Sequence, residues 1–484
     1  MNTLLIAARA VHFGTALWLF GEIALACALG VGRISGTSVS GLLVRRLTTI
    51  ARLSIGVGIA SAVAWLIAVA ALMSGTSPLR AIAPATLGSV LYQTQFGHVW
   101  LLRFGLAAAV LALLWKPLPG DARSRLAWSS LVALAYLCAI AWTGHAAAAE
   151  GRWRGARIVY DAVHLAAAGA WLGALPGLVV LLRFAPALDR ARVTQRFSHF
   201  ATAYVIALVA SGVGNSWFLV GSIPALIGTE YGRLVLVKVA LLLVMLAFAA
   251  VNRMVLTPRL AGHDPEAARA LRRNALVEIA LGLLVVVVVG VLGTTVPAAH
   301  RSPVWPFAHT LAWRSAPGST IPRPVLVPAY PTSYALPSVR YTTAAIVDGQ
   351  RLFAQNCAAC HGAGAAGDGP AAAALPTRPP NLVEHASLHR PGDLYWWIAH
   401  GRAGMPAFAS ALSDDEIWSV VDYLRALSEA AALPARPAAA PDFAFEVPGG
   451  GQQTLLGASA ARGTLVVLYA LPRSLPRLRE LASA

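Results

Sequence analysis

Charge is what this chain of 484 residues has least of. Only 12% of its residues are charged and 57% are hydrophobic, whereas a soluble domain carries about 25% charged residues. That shortage excludes an ordinary water-soluble protein. Acidic residues are the scarcer sign, 21 against 38 basic, for a formal charge of +17. Such a surplus would suit nucleic acid. Here, however, the arginines stand mainly in short loops between apolar runs, the pattern of the positive-inside rule. Cysteine is rare, at 4, so no disulfide framework is visible, and methionine is nearly as rare, at 5, which leaves no methionine-rich path for a soft metal ion. Cys27 and Cys138 fall inside apolar runs and read as packing residues.

What is abundant is long apolar sequence. Eight segments, at about 4–30, 50–73, 97–115, 126–145, 158–183, 199–221, 231–252 and 273–296, each approach the ~20 residues that cross a bilayer. The first has no basic region ahead of it and contains His12 and Glu22, so it reads as a retained helix rather than a cleaved signal. Basic residues follow the odd-numbered segments: Arg33, Arg45, Arg46 and Arg52; Lys116, Arg123 and Arg125; Arg183, Arg190, Arg192 and Arg196; Arg253, Arg259, Arg269, Arg272 and Arg273. The loop with Arg152, Arg154 and Arg157 is an exception. The rule then puts both termini outside the cytoplasm. The expected fold is mainly α, an eight-helix transmembrane bundle over residues 1–300.

The bundle reads as a duplication. "TQFGHVWLLR" (94–103) aligns with "TEYGRLVLVK" (229–238), "AVHFGTALWLFG" (10–21) with "AVHLAAAGAWLG" (162–173), and "RLTTIA" (46–51) with "RFSHFA" (196–201). Two four-helix halves in one orientation imply a pseudo-twofold axis along the membrane normal.

Residues 301–343 form a Pro- and Tyr-rich linker, expected as an extended tether with little core. Residues 344–428 are a small all-α domain holding "NCAACHG". CxxCH suits covalent haem: each thiol adds to a vinyl group and the histidine falls beneath the iron. The competing zinc reading needs a second CxxC, which the chain lacks. Cys357 and Cys360 are the attachment pair, His361 an axial ligand, and Met405, the one methionine of this domain, the other. His/Met ligation suits electron transfer. His385, His389 and His400 are alternatives to Met405 but read most simply as surface residues. Covalent haem attachment to CxxCH takes place on the periplasmic side in bacteria, in agreement with the even helix count. "SDDEIWSVVDYLRALS" opens with Ser413 and Glu416 at capping-box spacing and continues as one apolar stripe. With Gly349 and Phe353 at i, i+4, these helices resemble the terminal pair of class I cytochromes c. Residues 429–440 are an Ala/Pro linker, and 441–484 a short α/β tail that resembles a truncated redoxin without its cysteines.

Ionisable groups inside lipid are costly and usually functional. His12, His98, His145 and His164 all fall toward the periplasmic side and are candidate copper ligands, since imidazole suits copper among other metals. Four separate histidines bonded to carbonyls or water is the alternative. Glu278 is a candidate proton or ion site, or half of an ion pair with an arginine, and Asp161 and Glu22 are further polar candidates.

The runs quoted above, with "TGHAAA", "VNRMVLTPRL" and "EIALGLLVVVVVGVLGTTVPAAH", resemble the copper resistance protein D family over roughly residues 5–300. The resemblance implies copper movement across the inner membrane. The expectation is therefore a copper transport or tolerance protein with one covalent periplasmic haem c, lying in the lipid bilayer and exchanging single electrons with periplasmic carriers or respiratory complexes. It is a transporter or carrier rather than a catalyst. A purely electron-transferring cytochrome, with a haem b between His12 and His164, and a copper-delivery assembly factor stay open.

Overall fold

The computed structural model describes residues 2–28, 38–115, 122–144, 153–262, 264–315, 322–431, 444–447 and 451–454. It is mainly α. Among the described residues, eight helices are long and apolar enough to cross a membrane: α1 (Asn2–Ala28), α2 (Ser38–Ser74), α3 (Gln95–Trp115), α4 (Ala122–Cys138), α5 (Arg154–Trp171), α6 (Ala187–Leu219), α7 (Glu230–Val251) and α8 (Pro265–Leu292). Helices α2 and α6 begin about a dozen residues before the apolar runs do. Their first turns carry Arg45 and Arg46, or Arg190, Arg192 and Arg196, which continue the backbone hydrogen bonding where side chains no longer need to be apolar. The chain divides into two compact units, Met1–Gly349 with His389–Val421, and Gln350–Leu388 with Asp422–Ala484.

In the first unit α1 is central, packing on α2, α4, α5 and α8. Its Gly21 lies against Gly173, and a Cβ on either would overlap the backbone of the other helix. These glycines end the two aligned runs, so equivalent positions of the two halves touch. Past α5 the chain turns through a 3₁₀ segment, Leu172–Ala174, and resumes as a helix over Leu175–Phe184 with Pro176 in its first turn. The restart frees backbone N–H groups inside the bundle. Glu22, 1% exposed, accepts one of them, from Gly177 N at 2.6 Å. The helix break and the carboxylate that satisfies it therefore come from opposite halves.

The 94–103 and 229–238 match has a physical reason. Thr94 and Thr229 both stand before their helices. Each hydroxyl accepts from the amide three residues on, Gly97 N at 2.9 Å and Gly232 N at 3.0 Å. Each also donates back to the short helix before it, to Val90 O at 2.6 Å and Ala225 O at 2.7 Å. Gly97 and Gly232 lie so close to that short helix that a Cβ would overlap its carbonyls.

The linker is more ordered than its composition suggests. His309–Ser315 (β1) pairs antiparallel with Pro322–Pro328 (β2). Three of the β2 prolines, 322, 324 and 328, are spaced by even numbers. They therefore share one side of the strand and need donate nothing to β1. Val304 N bonds to Gly228 O at 3.0 Å, next to the Thr229 cap. At the far end Thr332 Oγ1 donates to Gly392 O at 2.7 Å, Ser333 bonds to Asp393, and Tyr330 stacks on Trp396. The linker is thus bonded at both ends within this unit.

The helical segments of the cytochrome-like region include α9 (Thr343–Asn356), α10 (Ala358–His361), α11 (Pro391–His400) and α12 (Asp414–Ala431). The capping box is formed: Ser413 N donates to Glu416 Oε2 at 2.8 Å and Glu416 N to Ser413 Oγ at 3.4 Å. Ile417, Val420, Val421 and Leu424 are buried as one stripe. In the second unit Phe353 packs on Tyr423, ring centroids 5.4 Å apart. Of the 441–484 tail, only Ala444–Val447 (β3) and Gly451–Thr454 (β4) are described, as an antiparallel pair. The redoxin-like remainder and the 432–440 part of the Ala/Pro linker lie outside the described residues.

Gly173→Ala should destabilise the membrane domain by ~1–3 kcal/mol or more, because the clash is with backbone. Gly56→Ala, where nothing stands within 4 Å, should be neutral or slightly stabilising. Thermal unfolding of both variants in the same detergent checks the contrast.

Candidate functional site

The CxxCH turn is a single compact element. Cys357 precedes α10, and the amides of Cys360 and His361 both bond to its carbonyl, at 3.1 and 2.9 Å. Both thiols are free and half-buried. Burial pushes the Cys357 thiol up to about 11, and the neighbouring Cys360 thiol adds to the shift. At neutral pH Cys357 is therefore held as the neutral thiol. Gly362 and Gly367 take positive φ, +79° and +80°, and fold the following loop back onto the turn. Gly367 N bonds to His361 O and Ala371 N to Ala359 O. Gly369 sits where a Cβ would collide with the backbone of Ala359 and Cys360.

His361 is half-buried, and its Nδ1 has no hydrogen-bond partner among the described residues. Burial lowers its pKa, which favours the neutral ring; the Pro380 carbonyl beside it opposes the shift without meeting hydrogen-bond geometry. These residues fit a covalently held haem: two thiols one turn apart, and next to them an imidazole whose surroundings favour the neutral ring. In the other unit, Met405 is presented by a tight turn in which Ala403 and Gly404 have φ of 47° and 92°. Arg402 and Met405 exchange two backbone bonds across it, at 3.1 and 2.9 Å. Trp397 Nε1, in the same unit, is buried without a hydrogen-bond partner among the described residues.

Inside the bundle, the two aligned histidines occupy matching sites. His12 Nδ1 faces Gly58 O at 3.0 Å and Ser61 Oγ at 3.1 Å, and its Nε2 faces the Arg103 guanidinium at 2.5 Å. His164 Nδ1 faces Leu208 O at 3.1 Å and Ser211 Oγ at 3.1 Å, and its Nε2 faces Lys238 Nζ at 3.3 Å. A carbonyl only accepts and a guanidinium only donates. Each ring is therefore the neutral Nδ1–H tautomer with its Nε2 lone pair already held by a cation. A copper ion, or a haem-b iron, would have to displace that cation first.

His98 is exposed and bonds through Nε2 to Tyr92 O at 3.0 Å. His145 lies outside the described residues. Among the described residues no group of three or more His, Cys, Asp or Glu stands together as a metal site. Glu278, 2% exposed, takes its bond from Asn252 Nδ2 at 2.7 Å rather than from an arginine, and Asn274 supports Asn252 at 2.8 Å. Asn252 opens a π-turn, Asn252–Leu256, at the end of α7, and with Glu278 lines a cavity of about 190 Å³.

Arg103 and Lys238 are the residues that reading from the sequence passed over. The signal was present: they close the two aligned decapeptides in register. Arg9 and Asp161, which occupy the same place ahead of the two histidines, were equally legible.

A family model described as copper resistance protein D-like, N-terminal domain, matches residues 1–156, and one for copper resistance protein D matches residues 191–292. A third, for the cbb3-type cytochrome c oxidase subunit III, matches residues 344–424. Copper resistance protein D of Pseudomonas syringae pv. tomato is 32% identical over 258 residues, 50% of this chain and 81% of that protein. Inner membrane protein YebZ of Escherichia coli (strain K12) is 31% identical over 299 residues, 60% of this chain and 98% of that protein. Cytochrome c6 of Synechococcus elongatus is 33% identical over 79 residues, 16% of this chain and 86% of that protein. No solved structure matches. The chain is thus a multi-pass inner-membrane protein that belongs to the copper resistance protein D family and carries a cytochrome c domain on the same polypeptide.

Proposed function

We propose that this chain moves copper across the inner membrane, in transport or tolerance, while its cytochrome c domain exchanges single electrons with carriers on the periplasmic side. The observation that carries the reading is the fusion: a copper resistance protein D membrane part and a CxxCH turn lie on one chain. The name of one further relative, copper transport protein CutJ of Bacillus subtilis, 28% identical over 242 residues, supports the transport half.

Both termini are assigned to the periplasm, on the distribution of arginines and the even number of crossings. Cys357 and Cys360 would hold the haem covalently, and His361 and Met405 would ligate its iron. When bound, the haem supplies one-electron chemistry at a potential raised by methionine ligation. The protein's own part is to hold His361 neutral in a turn clamped by Gly362, Gly367 and Gly369, and to offer the Met405 sulfur from a loop stiffened by Pro406. In the membrane, His98 and His145 are assigned to the outer approach of copper. His12 and His164, their lone pairs already held, act as polar anchors.

Met405→Ala should remove the sulfur-to-iron absorption band of the oxidised protein while leaving the covalent haem in place; an unchanged spectrum would reject the assignment. Full-length protein in proteoliposomes should carry copper faster than protein-free vesicles, and a His98→Ala/His145→Ala variant should slow it several-fold. Equal copper flux with and without protein would falsify the transport reading. Fusion of a periplasm-dependent reporter after residue 300 should be active; activity of a cytosol-dependent reporter there would reverse the topology.

A further inference from the structure

The two halves build the same histidine site and surround it with different charge. Aligned on His12 and His164, the residue three places earlier is Arg9 in one half and Asp161 in the other. The residue that caps Nε2 is Arg103 in one and Lys238 in the other. Arg103 is 2% exposed, bonds to the Tyr136 carbonyl as well as to His12, and lies over the Tyr136 ring at 4.2 Å. Arg9 bonds to Gly293 O at 3.1 Å and lies over Trp65 at 4.8 Å. Guanidinium does not lose its proton in proteins. The first-half site therefore carries a permanent positive charge, Arg103, against the ring, with a second, Arg9, one turn earlier on α1 and no carboxylate at the place of Asp161, and a further proton on His12 is opposed by Arg103.

The second half is the reverse. Asp161 and Lys238 stand close enough to interact electrostatically, and Lys238 reaches His164. The elements packed round them contribute few other titratable groups among the described residues. From α7 comes Tyr231, which also feels the Asp161 charge. From α4 comes Cys138, whose sulfur lies 3.6 Å from Ala162 O. Helix α6 supplies the Ser211 hydroxyl and Leu208 carbonyl to His164, and Arg157, one turn earlier on α5, lies over Phe218 at 4.8 Å. Gly144, after α4, offers no side chain toward Asp161, where a Cβ would stand 3.9 Å from Oδ2. The site thus has one carboxylate that can accept a proton and, within electrostatic reach of it, one ammonium bonded to His164.

We infer that Asp161, one turn before His164 on α5 and within electrostatic reach of Lys238, is a reversible proton-binding site confined to the second half of the bundle, and that the first half is its permanently charged, proton-refusing counterpart. One proton from water adds to an Asp161 carboxylate oxygen, and the site goes from neutral to singly positive while Lys238 keeps its bond to His164 Nε2. The assignment of a purpose, exchange of protons against copper, rests on the copper reading above; the site itself does not.

The test is infrared difference spectroscopy of the full haem-bearing chain in lipid nanodiscs without copper, stepped from neutral to acid pH. Wild type should gain a protonated-carboxyl C=O band that Asp161→Asn removes. Lys238→Met, which takes away the facing cation, should move the midpoint of that band up by at least one pH unit, about tenfold in proton affinity. Lys238→Arg should keep it near wild type. Haem absorbance and gel-filtration volume report that each variant is folded; should Lys238→Met fail that check, the Asp161→Asn and Lys238→Arg spectra carry the decision. A band that survives Asp161→Asn, or a midpoint indifferent to Lys238→Met, overturns the inference. Because no copper is present, its failure leaves the transport reading standing, and a failed flux assay leaves this site standing.

Discussion

Two glycines in contact organise the membrane domain. Gly21 and Gly173 are equivalent residues of a duplicated sequence, and α1 meets the α5 chain where neither has a side chain. Backbones that approach this closely need small residues, as elsewhere in lipid where packing takes over from the hydrophobic effect. The consequences run outward from that point. The fifth spanning helix breaks at its glycine, which lies in the 3₁₀ segment, its restart needs an acceptor for Gly177 N, and Glu22, one residue beyond Gly21, supplies it. A third glycine, Gly169, one turn earlier, accommodates Phe20 and Leu137.

Around this shared geometry the halves have diverged in charge rather than in shape. Both keep the histidine, the serine below it and the carbonyl three residues before that serine. Both keep the threonine-to-glycine start of the third helix in each half. What differs is which cation caps the ring and what sits one turn away. Burying a charge costs several kcal/mol unless it is well bonded, so these cations are expensive features that structure alone does not require. That cost is the reason to look for function in the site rather than in the scaffold.

The large features were legible from residues. The eight spans follow from apolar runs of bilayer length, the haem turn from three adjacent chemistries, and the start of α12 from Ser413 and Glu416. The duplication was legible too, because Thr94/Thr229 and Gly97/Gly232 repeat a local hydrogen-bonding device. Partnerships across long separations were not. His12 and Arg103 lie 91 positions apart, and nothing local to "AVHFG" says that a guanidinium will occupy its ring nitrogen. Depth in the membrane, which grouped the four histidines on paper, is one coordinate; the other two put His12 and His164 in separate pockets and His98 at an exposed edge. Asn252 as the partner of Glu278 depended on a π-turn with no clear signature in "VNRMVL".

The linker hairpin shows how composition can mislead and then explain. Proline argues against a strand, yet three prolines at even spacing spare the hydrogen bonds to β1 and remove donors from the opposite edge of β2. A two-stranded ribbon outside the bundle would otherwise show that edge as an open row of amide hydrogens, ready to recruit a neighbouring chain. Written this way, the ribbon can zip to its own partner while its proline-bearing edge offers a stranger's strand little to grip.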